Sequence, residues 1–281
     1  PIWIKPDLIM LSSCLFGQDG PYALMAGYGT MGAAIGGMVQ PTGWPDQPPA
    51  GPYGAYTDVC APRISTALLL AAVEHRRRTG EGQYIDLSQA EASLQLMGQA
   101  VLDYTVNGRV TGRHGNDDDT MAPHGTYRAA GTDRWIAVAV TDDAAWTRLC
   151  DVIGRPDLAA LDTAQRLDRR RELDTVVEAW TVGHDATEAM ERLVARGIAA
   201  HEVQNTVEAW NDPQLRHRRH FRQVPHSVMG STWVEGSRYR LSRTPPVTGA
   251  PPALGEHNWE VLTTILRSEE HTSELQSRGL I

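Results

Sequence analysis

The stretch Gly51-Pro52-Tyr53-Gly54-Ala55-Tyr56-Thr57-Asp58-Val59-Cys60-Ala61-Pro62 leads into Leu68-Leu69-Leu70-Ala71-Ala72 and then into Thr79-Gly80-Glu81-Gly82-Gln83-Tyr84-Ile85-Asp86-Leu87-Ser88. Its middle reads as a helix over 64–77, with Pro62 near the first turn and Thr79-Gly80 at the end. Tyr84 to Leu87 reads as a strand, and Ser88 with Glu91 as a capping box for a further helix running through Val106. Upstream, Pro6-Asp7-Leu8-Ile9-Met10-Leu11-Ser12 contains a short apolar run, Leu8 to Ser12, that stops at polar and glycine residues, as a parallel strand does at its carboxyl edge. A strand, helices and a second strand in that order predict an α/β protein with a Rossmann-like open sheet. Asp58 then stands alone in an apolar loop just before the helix. Two readings are open for it: a helix-capping or first-turn acid favoured by the helix dipole, or a carboxylate nucleophile. The second needs water to be excluded and a carbonyl to be held in place.

Working outward, residues 14–22 form a loop above the carboxyl edge of the sheet, where ligands of open α/β sheets sit. Residues 27–39, rich in Gly, Ala and Met, predict a helix suited to close backbone packing, and 41–52 is a proline-rich loop. Periodicity breaks at 107–121, where glycines and Asp117-Asp118-Asp119 mark a linker or site loop. Residues 125–130 and 135–140 pair as a hairpin across Gly131-Thr132-Asp133. Helices are expected at 142–153, 166–181 and 186–196, and a strand at 198–203. Strands are also expected around 224–228 and 233–241. The resulting division is a partial large domain over 1–110, a linker and smaller α+β domain over 111–205, and a segment over 206–266 that returns to the large domain. Residues 267–281 read as the conceptual translation of a sequencing adapter and are set apart from the fold. The opening at Pro1, already close to a strand, suggests that an upstream portion precedes it.

Length and composition fit a globular chain with a sizeable core: 281 residues, 41% hydrophobic. The 26 basic and 34 acidic residues, net −8, argue against a general nucleic-acid surface but not against a local basic cluster that binds a polyanion. Cys14, Cys60 and Cys150 are far apart and odd in number, which suggests neither a disulfide framework nor a zinc site and fits a reducing, cytoplasmic setting. No apolar run is long enough for a membrane span.

With Arg78-Thr79-Gly80-Glu81-Gly82-Gln83-Tyr84-Ile85-Asp86-Leu87-Ser88 in place, the chain resembles the class III coenzyme A transferases, the family of formyl-CoA, carnitine and benzylsuccinate CoA-transferases. The resemblance covers roughly residues 6–265 in order and spacing. It implies that Asp58, about one helix upstream of this string, attacks an acyl-CoA thioester. It also implies that Ser13, Cys14, Leu15 and Phe16, ahead of the Phe16-Gly17-x-x-Gly20-Pro21 continuation, contact coenzyme A. Some relatives carry lysine where Cys14 stands. The implied activity moves CoA between a thioester and a free carboxylic acid through an aspartyl mixed anhydride and an aspartyl-CoA thioester, with CoA as substrate and no resident cofactor. The implied assembly is an interlocked homodimer, with no nucleic-acid or membrane partner, and the chain by itself is expected to be inactive.

Two alternatives stay open. An α-methylacyl-CoA racemase shares the fold and the aspartate, but reads Gly-His-Asp where this chain has Gly27-Tyr28-Gly29. The other is a non-catalytic CoA-binding fragment. The segment Gly115-Asn116-Asp117-Asp118-Asp119 falls where formyl-CoA transferase has a glycine-rich covering loop; without ligand spacing, its carboxylates read as a solvated loop rather than a metal site. Arg216-His217-Arg218-Arg219-His220 and Arg76-Arg77-Arg78 offer guanidinium groups for phosphates, or simply basic helix ends. His124 and His257 are isolated and receive no role.

Overall fold

A computed structural model describes residues 4–265, so the adapter-like segment 267–281 lies outside the described residues. Strand β1 (Ile9–Cys14) pairs in parallel with β2 (Gln83–Ser88), in register from Ile9 opposite Gln83 to Cys14 opposite Ser88. Parallel strands need a crossover. Here it carries α1 (Gly29–Ile35) and α2 (Tyr56–Thr79), which is the α/β arrangement read from the sequence. Both strands outrun their expected limits because the ladder continues to Cys14 and Ser88.

The main departure is the start of α2. It begins at Tyr56 rather than near Ile64, so Pro62 stands inside the helix and Asp58 in its first turn rather than in a loop. A proline there has no N–H to give the carbonyl four residues back, which is that of Asp58, yet its fixed φ is helical and the turn survives. At the other end, Gly80 takes the left-handed conformation (φ 82°) and its N–H closes on Arg76 O at 2.8 Å. Arg76, Arg77 and Arg78 lie in the last turn, where the dipole favours cations. After β2, Ser88 Oγ accepts from Glu91 N at 3.3 Å and caps α3 (Gln89–Leu94). The single helix expected through Val106 is interrupted by a 3₁₀ turn, Gln95–Met97, before α4 (Gly98–Asn107), with Gly98 at the break.

Further along, β3 (His124–Arg128) and β4 (Trp135–Ala139) form the expected antiparallel hairpin, and β5 (Ala199–Glu202) completes a sheet of order β3-β4-β5. Against it lie α5 (Asp143–Ile153), α6 (Thr163–Asp168), α7 (Arg170–Thr181) and α8 (Ala186–Val194). The helix expected over 166–181 is two helices that meet at Arg169. Ile136, Trp146, Leu149, Leu173 and Leu193 are fully buried together, each worth roughly 1.5–3 kcal/mol against exposure. Trp146 Nε1 donates to Leu158 O at 2.8 Å, so the indole enters the core with its one polar atom satisfied. Arg166 is equally buried, and its guanidinium makes four hydrogen bonds. It donates to Ala122 O (2.8 Å), Asp143 Oδ1 (2.6 Å), Leu161 O (3.0 Å) and Thr163 Oγ1 (3.1 Å). Burial, and then the charge of Asp157, push the Cys150 thiol up to about 11.

The chain divides into two compact units, one up to His201 and one from Glu202 onward. The second unit holds α9 (Thr206–Asn211), capped reciprocally by Asn205 and Glu208, and α10 (Pro213–His217), capped by Asp212. Its hairpin pairs β6 (Phe221–His226) with β7 (Gly230–Glu235). The second strand was expected at 233–241. The turn at Gly230 (φ 74°) sets a register in which Phe221 meets Glu235, so β7 starts and stops earlier. No helix among the described residues is long and apolar enough to cross a membrane, and the three cysteines are free.

Candidate active site

Asp58 is the third residue of α2, where the unpaired N–H groups of a 24-residue helix carry partial positive charge and favour a carboxylate. Its neighbour Thr57 is fully buried and donates from Oγ1 to Gly29 O at 3.1 Å. That bond ties the start of α2 to the start of α1. Glycines make the junction possible. A Cβ at Gly29 would lie 2.8 Å from Asp58 Oδ2, 2.8 Å from Ala55 Cβ and 2.9 Å from Ala55 C. One at Gly32 would meet Thr57 Oγ1 at 2.8 Å and Leu15 Cδ1 at 2.7 Å, and one at Gly27 would meet Leu15 Cδ2 at 2.5 Å. All six separations are shorter than a Cβ tolerates; at Gly29 the Ala55 backbone is in the way, so a side chain there would force the two helices apart, whereas at 27 and 32 the end of the Leu15 side chain would also have to turn aside.

The carboxylate is exposed, and no side-chain hydrogen bond engages it among the described residues. Its oxygens are free to attack an electrophile, and Gly29 leaves no second side chain beside them. The dry surroundings that the sequence reading requires are not supplied by the described residues around Asp58.

Of the four residues expected at coenzyme A, two are strand rather than loop. Ser13 and Cys14 end β1, paired with Leu87 and Ser88. Leu15 and Phe16 begin the loop. The Leu15 carbonyl accepts from Ala90 N (3.0 Å) and from Ser88 Oγ (3.4 Å), and its side chain covers Gly27 and Gly32. Phe16 meets Tyr22 with ring centroids 5.9 Å apart. Gly17 turns with φ 90°, and Gln18 N then donates to Asp86 Oδ2 at 2.9 Å, which fixes the loop to β2. Leu15 and Asp58 therefore flank the same glycine-rich start of α1. Sequence reading noted that this segment is suited to close packing but missed Gly29, Gly32 and Thr57 individually. The spacing Gly27-x-Gly29-x-x-Gly32, followed by Gly36, was the available signal.

The remaining candidates are engaged in structure. Asp117 is not solvated: its side chain is 13% exposed and pairs with Arg170 (3.2 Å) and Arg171 (2.8 Å). Asp118 Oδ1 accepts from Thr120 Oγ1 (2.6 Å), Thr120 N (2.8 Å) and Met121 N (3.2 Å), and these bonds, the Thr120 hydroxyl first, hold its carboxyl below the usual range. Asp119 lies 3.7 Å from Arg109, and Gly115 N donates to Gly43 O at 2.9 Å. These contacts brace the loop without reaching Asp58. No cluster of three or more metal-ligating side chains occurs among the described residues. His124 Nδ1 faces Asn116 O at 2.5 Å. Arg78 pairs with Glu74 at 2.7 Å, and Arg76 donates to Asp7 O at 3.3 Å.

Fold and site together define an α/β protein that presents a single carboxylate at the junction of two helices above a parallel strand pair. The sequence profile of CoA-transferase family III matches residues 3–258, and the chain belongs to that enzyme family. It is 32% identical to the succinyl-CoA–D-citramalate CoA-transferase of Chloroflexus aurantiacus, an alignment covering 99% of this chain and 70% of the relative. It is 31% identical to the succinyl-CoA:mesaconate CoA-transferase of Haloarcula marismortui, covering 92% of this chain and 66% of that one. Among solved structures, a CAIB/BAIF family protein from Brucella suis superposes with TM-score 0.82 at 25% identity, over 92% of this chain and 68% of the other. The chain thus spans about two thirds of the length of these relatives.

Proposed function

We propose that the whole protein transfers coenzyme A between an acyl-CoA thioester and a free carboxylic acid, with Asp58 as nucleophile. An Asp58 oxygen adds to the thioester carbonyl and the C–S bond breaks, giving a mixed anhydride and CoA thiolate. The thiolate then attacks the aspartyl carbonyl of the anhydride. The donor acid leaves as carboxylate, and an aspartyl-CoA thioester remains. An acceptor carboxylate attacks that thioester and expels the thiolate, which returns to the new acyl carbonyl and frees Asp58. Every bond made is matched by one broken, with no net proton or electron change. Ser13, Cys14, Leu15 and Phe16 are the residues we assign to contact with coenzyme A.

The observation that carries this reading is the placement of Asp58 in the first turn of α2, its Oδ2 against Gly29 and its oxygens unengaged. The same contact weighs against the racemase alternative. An acid–base pair beside Asp58 needs side chains on the start of α1, and Gly29 admits none without moving Ala55. The two transferases named above are named for succinyl-CoA with D-citramalate and with mesaconate, both five-carbon diacids, which supports small dicarboxylates as the substrate class. A cytoplasmic homodimer belongs to the same reading, supported by the family and the free cysteines.

The test is transfer from succinyl-CoA to mesaconate, citramalate and malate by the wild type and by Asp58→Asn. Loss of about a thousandfold or more in kcat, with stability changed by less than about 1 kcal/mol, is the expected result. Transfer retained by Asp58→Asn refutes the nucleophile. Deuterium exchange at the α-carbon of a 2-methylacyl-CoA without transfer supports the racemase instead.

A further inference from the structure

The C-terminal unit contains an open cavity of 560 Å³ that the transfer chemistry does not use. One wall is aromatic. Trp210 stacks on Phe221 with centroids 4.4 Å apart and planes 29° apart, and meets Trp233 edge-on at 5.0 Å and 79°. The other wall is cationic, lined by Arg216, Arg219 and Arg222.

Hairpin packing explains part of this arrangement. Phe221 is half-buried and Val224 buried, as expected beneath a two-stranded sheet. It does not explain why Trp210 and Trp233 stay 37% and 53% exposed beside a cavity that Arg216, Arg219 and Arg222 also line. Among the described residues none of the three arginines joins an ion pair. Arg216 donates to the neutral Asn211 side chain, and Arg222 reaches Thr248 Oγ1 at 3.5 Å. Three cations that line one cavity without a carboxylate partner favour an anion there. Arg219, at φ +53°, is the left-handed residue that ends α10, where His220 N donates to Leu215 O at 3.0 Å and glycine is the residue usually found.

We propose that this cavity binds a phosphorylated nucleoside, its base against the Trp210–Trp233 wall and its phosphates held by Arg216, Arg219 and Arg222. The volume suits a ligand of that size. Guanidinium groups hold phosphate oxygens in pairs, and an aromatic face stacks on a base whatever its identity. The ligand is either a free nucleotide or the nucleotide end of coenzyme A, since both present the same chemistry. The inference stands on the geometry of this unit and not on transfer at Asp58.

The test is calorimetric titration of the full chain with ADP, adenosine and inorganic pyrophosphate. ADP is expected to bind at one site, more tightly than either fragment, and more weakly as salt rises. Arg219→Gln and Arg222→Gln are each expected to weaken ADP about tenfold or more. Arg219→Gly guards against a folding artefact: it suits the left-handed position and should raise the melting temperature while still weakening ADP. Pyrophosphate binding as tightly as ADP would show that the aromatic wall does nothing and overturn the proposal. So would ADP affinity unchanged in Arg219→Gly. Desulfo-CoA identifies the source: displacement of ADP assigns the site to the nucleotide end of coenzyme A, and binding of ADP without such displacement assigns it to a free nucleotide.

Discussion

Two regions of the first unit are built on opposite plans. Around β3, β4 and α5 to α8, large side chains close on one another: Trp146, Leu149, Leu173 and Leu193 have no exposure at all. Around β1, α1 and α2, the buried cluster is Ala61, Leu87 and Ala92, and the close contacts are made by glycines. Large apolar groups there face outward, with Tyr28 at 78% and Leu70 at 66% exposed. Stability is therefore concentrated in one region, and the candidate chemistry sits in the other, where thin packing lets two helices and a loop meet at one carboxylate. Substitutions that change one property and spare the other sharpen the contrast.

The largest effect is expected at Trp146. Trp146→Ala removes a fully buried indole and its bond to Leu158 O, and should cost about 3–5 kcal/mol in a denaturant titration. A loss below about 1 kcal/mol would show that the core is not where stability lies. Next is Gly29→Ala. The added methyl strikes Ala55 and Asp58, and relief requires the start of α1 to move away from α2. A cost of about 1–3 kcal/mol is expected, and CoA transfer should fall further than stability alone explains. Wild-type activity in Gly29→Ala would break the link drawn between the glycine junction and the carboxylate.

The smallest effect is expected at Asp174, which accepts from Tyr127 Oη at 2.7 Å. Burial holds its carboxyl above the usual range despite that bond. A carboxyl raised in the folded state favours folding only while protonated, so its contribution is lost as pH rises through the folded value. Asp174→Asn keeps an acceptor without the charge. It should stabilise the protein at pH 7 by less than about 1 kcal/mol, and the gain should vanish below about pH 4. Melting curves at the two pH values check the sign, and a gain larger at low pH than at pH 7 would reverse the assignment.

Much of the fold was legible because it is written in local patterns. The apolar runs of β1 and β2, the hairpin across Gly131 and the cap at Ser88 depend on neighbours a few residues away. The start of α2 was not, because Pro62 reads as near a helix beginning, and the helix, with Thr57 packed on Gly29, starts at Tyr56, eight residues before the expected Ile64. The split at Arg169 and the early end of β7 were missed for related reasons, a helix junction and a turn-set register. At the candidate site, Asp58 stood out as a lone acid in an apolar run. Thr57 and the glycines did not, since their role exists only where α1 and α2 meet. The acidic run 117–119 misled in the opposite sense: its partners Arg170 and Arg171 are some fifty residues away in sequence, and Asp117 is covered rather than solvated.

The central claim is that Asp58 becomes covalently acylated and then thioesterified. Incubating the whole protein with succinyl-CoA, quenching with hydroxylamine and sequencing peptides by mass spectrometry reads this directly. The expected result is a hydroxamate on Asp58, dependent on the acyl-CoA and missing when CoA alone is supplied. Active turnover with Asp58 unmodified, or the hydroxamate on another acid, would contradict the account.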